Sequence, residues 1–124
     1  MTDTTPQIVF TEIPVADPDR ATRFYETLLG APLTRNDGGP NPMWMFPAAA
    51  GGHAAGHLYP GQPANDGNGM TAHFAVPDTL SDAMDRVRAG GGDVVSGIID
   101  IPIGAFFYAK DTEGNSLGLF KYKS

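Results

Sequence analysis

No cysteine occurs among the 124 residues, which removes disulfide scaffolds and thiolate chemistry from consideration. No apolar run approaches the roughly 20 residues of a membrane span. Residues 1–7 lack the basic start and apolar stretch of a secretion signal. A cytoplasmic location is the resulting expectation. Positive charge is scarce: eight Lys and Arg face fourteen Asp and Glu, for a formal net charge of −6. That balance opposes attraction to a phosphate backbone, and Lys121 with Lys123 reads as a solvated terminus. Neither a nucleic-acid nor a membrane partner is expected.

Several catalytic signatures are missing as well. Gly90-Gly91-Gly92 follows a helical pattern, whereas a dinucleotide-binding glycine loop precedes one. There is no glycine loop ending in Lys-Ser or Lys-Thr, and no pair of histidines flanking a glutamate at zinc-protease spacing. Ser81, Ser96 and Ser116 sit in ordinary capping or strand contexts, and the acids show no paired spacing for glycoside hydrolysis. Nothing points to haem or flavin.

What is present is a duplicated unit in a chain 41% hydrophobic and 18% charged, a balance that favours folding over disorder. The length suits one domain, 1–124. Residues 7–15 carry β-branched and aromatic side chains that predict a strand. Asp17 then caps a helix with Pro18 in its first turn, and Ala21, Phe24, Tyr25, Leu28 and Leu29 repeat at helical spacing. Gly30 ends it. Short strands are predicted at 33–35, 43–46 and 53–59, and the polar residues 60–69 form a linker. The unit then repeats: a strand over 70–76, an Asp78 or Thr79 cap, and a helix with Leu80, Ala83, Met84 and Val87 on its apolar face. Its glycine stop precedes strands at 93–101, 104–110 and 116–121. The expected fold is α+β, with paired βαβββ modules at 7–59 and 70–122 forming a curved mixed sheet around a cleft.

These segments resemble the vicinal oxygen chelate superfamily, which includes glyoxalase I, extradiol dioxygenases and the bleomycin-resistance proteins. The likeness rests on Ile13-Pro14-Val15-Ala16-Asp17, on Phe24-Tyr25 leading to Leu29-Gly30, and on His73-Phe74-Ala75-Val76. It also rests on Asp111-Thr112-Glu113-Gly114-Asn115 before Leu117-Gly118-Leu119-Phe120. Metal-dependent members resemble one another in taking one ligand from the first and one from the last strand of each half. The resemblance carries those positions onto Phe10, Thr71, Gly118 and the neighbourhood of Gly56–Leu58, where His57 is the candidate. Phe10 and Gly118 supply no side-chain donor, so no cofactor is expected.

The preferred expectation is a metal-independent protein that binds a small organic molecule, as in resistance or sequestration, and that works as a homodimer. Its candidate lining is Phe10, Glu12, Trp44, His57, His73, Phe106 and Tyr108. Aromatic rings would give contact area, while Glu12 and the histidines orient polar groups. The main alternative is a lyase, isomerase or dioxygenase with a divalent metal displaced onto Glu12, His57 and His73, which are also the catalytic candidates. A protein-interaction module is the third reading. His53 is expected at a turn or surface. Asp17, Asp78 and Asp82 are expected at helix starts, Asp111 and Glu113 at the last turn, and Asp37 and Asp66 in flexible connections.

Overall fold

The computed structural model describes residues 10–48 and 52–123. In chain order the elements are β1 (Thr11–Val15), α1 (Pro18–Leu29), β2 (Thr34–Asn36), β3 (Met43–Met45) and β4 (Gly56–Pro60). The second half comprises β5 (Ala72–Ala75), α2 (Leu80–Ala89), β6 (Asp93–Val94), β7 (Ile99–Ile101), β8 (Gly104–Lys110) and β9 (Ser116–Tyr122). One turn of 3-10 helix, Asn65–Gly67, lies in the connection between them. The expected duplication is therefore present. In each half the first strand pairs in parallel with the last, giving the orders β1-β4-β3-β2 and β5-β9-β8-β6, with β7 also on β8.

Local chemistry explains both helices. The Asp17 side chain accepts from the Arg20 N–H, and Gly30 closes α1 in the left-handed region at φ 69°. For α2 the cap is Thr79, whose side chain accepts from the Asp82 N–H. Asp78 is not a cap: it forms a two-pronged pair with Arg86, whose Nε also donates to the Leu28 carbonyl at the end of α1. That arginine ties the two helices together.

The core is a single cluster drawn from both halves. Ile13, Val15, Phe24, Tyr25, Leu28, Phe46 and Leu58 meet Val76, Leu80, Ala83, Val87, Phe107, Leu117 and Leu119. Each sheet buries one face against the helices and turns the other outward. Strand alternation thus separates Phe107, fully buried, from Phe106 and Tyr108 on the outer face.

β1 is described from Thr11, one residue after Phe10, and residues 7–9 of the predicted strand lie outside the described ones. One expectation on the strands needs correction. The predicted strand 93–101 is split. Val95 and Ser96 both donate from the main chain to the Tyr108 carbonyl, and Ser96 Oγ accepts from the Tyr108 N–H. Two residues facing one is a bulge, and the chain bends there before β7 resumes pairing.

The acids of the last turn do more than shape it. Asp111 is buried and accepts from the Tyr25 hydroxyl at 2.6 Å, while Asn115 donates to the Pro14 carbonyl at 2.9 Å. Glu113 accepts from the Ala16 and Asp17 N–H groups and pairs with Arg20 at 2.8 Å. The turn between β8 and β9 therefore grips the turn between β1 and α1 in the other half. Burial alone would raise the Glu113 carboxyl. Arg20, the Asp17 N–H and the Thr112 hydroxyl outweigh that and hold it at about 2. Tyr25 moves up, from burial first and then from Asp111 beside it. Asp66, expected in a flexible connection, pairs with Lys110 at 2.7 Å, and Asp37 pairs with Arg35.

Candidate functional site

β1 and β5 are the edge strands of their sheets and are not paired with each other. Between them lies a cavity of about 630 Å³, a volume typical of small-molecule sites. Phe10, Glu12, Met70, Thr71, His73 and Ser116 are among its lining. Phe10, 44% exposed, forms an apolar wall, with its ring centroid 5.1 Å from that of His57. The Thr71 and Ser116 hydroxyls are hydrogen-bonded at 2.5 Å, so the pair presents both a donor and an acceptor to the space. Among the described lining residues, Glu12 alone carries a full charge.

Glu12 also borders a smaller cavity of about 310 Å³ with Asn41, Met43, His57 and Tyr59. There the buried His57 ring places Nε2 3.4 Å from Glu12 Oε1. His57 Nδ1 is buried without a hydrogen-bond partner. Glu12 and His57 stand opposite each other in the β1–β4 ladder, which fixes their contact through the backbone.

The corresponding pair in the second half is His73 and Gly118, opposite each other in the β5–β9 ladder. The His73 ring lies directly over Gly118, and a Cβ at residue 118 would overlap it. Phe106, Tyr108 and Phe120 surround that imidazole edge to face, with centroids 5.4, 6.0 and 6.0 Å away. Partial burial among them lowers the His73 pKa from its usual 6.5. Near neutral pH the ring is therefore uncharged, with one nitrogen donating and one accepting.

Phe10, Glu12 and His73 thus converge on the larger cavity, and His57 touches it only through Glu12. Phe106 and Tyr108 back His73 from the outer face of their sheet. Trp44 does not join them. It pairs with Leu58, on the helix-facing side of its sheet, where it packs against the core beneath the Arg35 guanidinium, 5.1 Å from the ring. His53 is exposed as expected. Ser116 and Met70 line the cavity without a local sequence signal that marks them. Parallel pairing of β5 with β9, copied from the first half, was the signal that would have set Ser116 beside Thr71.

The donor set bears on a divalent ion. Glu12 and His57 offer an oxygen and a nitrogen side by side, but His73 belongs to a separate cluster. Among the described residues no group of three or more His, Cys, Asp or Glu could hold a metal. Phe10 and Gly118 supply no donor, so the residues do not fit a three-ligand centre within one chain. The displaced site on Glu12, His57 and His73 is not assembled.

An integron cassette protein from V. cholerae is 23% identical, with a TM-score of 0.65 over 99% of this chain and 100% of that one. A glyoxalase/bleomycin resistance protein from Albidiferax ferrireducens T118 is 23% identical, with a TM-score of 0.68 over 95% and 100%. A glyoxalase-related enzyme from Fulvimarina pelagi is 15% identical, with a TM-score of 0.66 over 94% and 88%. These likenesses establish the paired-module α+β fold. The family model for the Glyoxalase/Bleomycin resistance protein/Dioxygenase superfamily matches residues 7–119, and the chain belongs to that superfamily. No curated protein matches it. Among the described residues no helix is long and apolar enough to cross a membrane.

Proposed function

We propose that the protein binds a small organic molecule without a metal, in the cavity between β1 and β5. One observation carries this reading: Phe10, Glu12 and His73 converge on about 630 Å³ of space, while among the described residues no group of three or more His, Cys, Asp or Glu could hold a metal. The ligand has an apolar, planar part against Phe10 and a cationic or hydrogen-bonding part against Glu12, Thr71 and Ser116. A role in resistance or sequestration suits such a binder, in the cytoplasm and as a homodimer. The apolar residues Ile99, Tyr108 and Tyr122 exposed on one face of the second sheet are consistent with a covering copy.

Titration calorimetry with acriflavine, a planar aromatic cation, tests the reading. Binding should weaken at least tenfold in Glu12→Gln and His73→Ala; no heat with wild-type protein, or wild-type affinity retained in both variants, refutes it. Elemental analysis of protein purified without chelator addresses the lyase, isomerase or dioxygenase alternative, which the Glu12–His57 contact favours. Stoichiometric zinc, nickel, iron or manganese that vanishes in His57→Ala would replace the binding reading with that one.

A further inference from the structure

The cavity has a property that a pocket for an arbitrary small molecule does not need: two of its walls are strand edges. Thr11 donates to the Ala55 carbonyl and Val15 accepts from the Gly61 N–H, so Thr11, Ile13 and Val15 direct their main-chain groups toward β4. Alternation then turns the N–H and C=O of Glu12, and the C=O of Pro14, toward the cavity. The Pro14 carbonyl is taken by Asn115, which confirms the direction. In the second half Val76 donates to the Phe120 carbonyl, so Ala72 and Phe74 face β9 and the main chain of Thr71 and His73 faces the cavity. Neither ladder uses these groups.

We infer that the cavity accepts a short, extended, cationic peptide whose backbone pairs with the free edges of β1 and β5. The inference rests on the reading of this cavity as a ligand site. Unused strand edges are templates for an added strand, and hydrogen bonds to its main chain supply the recognition. Length agrees: Pro14 has no N–H and its carbonyl is taken by Asn115, so the free part of the β1 wall covers residues 10–13, about 13 Å at roughly 3.3 Å per residue. A bound segment of about four residues matches that span. Charge agrees too, because Glu12 is the one fully charged side chain among the described lining residues and the chain carries a net −6. A lysine or arginine on the peptide pairs with Glu12. Alternate side chains then fall against Phe10 and Met70, both exposed in the free protein.

The probe is the pentapeptide acetyl-Val-Lys-Val-Lys-Val-amide, compared with the same peptide N-methylated at alternate amides. Calorimetry should show the parent peptide binding, the N-methylated one at least tenfold weaker, and Glu12→Gln weakening the parent about fivefold. Hydrogen exchange followed by NMR should slow at least tenfold at the Glu12 and His73 amides when the parent peptide is present. Equal binding of both peptides, or unchanged exchange at those amides, overturns the inference. If acriflavine binds and the peptide does not, strand addition fails while the small-molecule reading stands; if neither binds, both fail.

Discussion

Glu12 with His57, and His73 with Gly118, occupy the same relative place in the two halves, each pair set across a parallel ladder from first strand to last. The backbones agree and the chemistry does not. In the first half a carboxylate meets a buried imidazole. In the second, a glycine gives its space to the neighbouring imidazole, which the surrounding aromatic rings then hold. Duplication thus preserves the main-chain frame that sets the cavity walls while leaving each half free to change its donors. The two halves differ again in their closing turns, because Asp111–Asn115 reaches across to the other half.

The largest effect should come from cutting that reach. Asp111→Ala strips a buried acceptor from the Tyr25 hydroxyl, the Asn115 amide and the main-chain N–H groups of Glu113 and Asn115. Leaving several buried donors unpaired costs about 3–5 kcal/mol, enough to lower the denaturant midpoint sharply without a matching change in slope. Acid should act on the same contact by another route. Glu113 sits at about 2 when folded against an ordinary 4.5, so the folded state favours its charged form. Its contribution is whole above pH 4.5 and is lost as pH falls toward 2, on the order of 3 kcal/mol. In Glu113→Gln, stability measured between pH 5 and 2.5 should fall less steeply than in the wild type. Parallel curves would remove Glu113 from the grip.

The next effect separates the two ladder pairs. Gly118→Ala places a methyl group where the His73 ring lies, so the ring must leave its aromatic surroundings. Overpacking of this kind costs about 1–3 kcal/mol. Once released, the His73 pKa should rise toward 6.5, because burial is what lowers it. NMR titration of the imidazole reads this directly, with His57 as the internal control; an unmoved His73 midpoint would show that Gly118 does not position the ring.

Much of this was legible in the sequence, because helix caps and apolar spacing are local. Asp17, Pro18 and Gly30 mark α1 within a residue, and the alternation of Phe106, Phe107 and Tyr108 sorts them between core and outer face. What stayed hidden depends on contacts across the chain. Asp111 and Glu113 look like turn acids until Tyr25 and Arg20 arrive from some ninety residues away. Asp78 beside a cap position looks like a cap until Arg86 claims it. The site divides the same way. Phe10, Glu12 and His73 follow from strand positions in each half, whereas the Thr71–Ser116 pair requires knowing that β9 lies beside β5.

The smallest effect tests which face of the first sheet carries function. Trp44 lies across its sheet from Glu12 and His57, because residues paired in a ladder share a face and Trp44 pairs with Leu58 and Arg35. The Arg35 guanidinium over the indole contributes about 0.5–1 kcal/mol as an exposed cation–π contact. Arg35→Ala also removes the exposed pair with Asp37, so it should cost about 1–2 kcal/mol at most, alter Trp44 emission, and leave acriflavine affinity unchanged. A matching loss of affinity would mean that the helix-facing side communicates with the cavity. Unchanged binding alongside altered emission would confine ligand recognition to the edge strands and the face that bears Glu12.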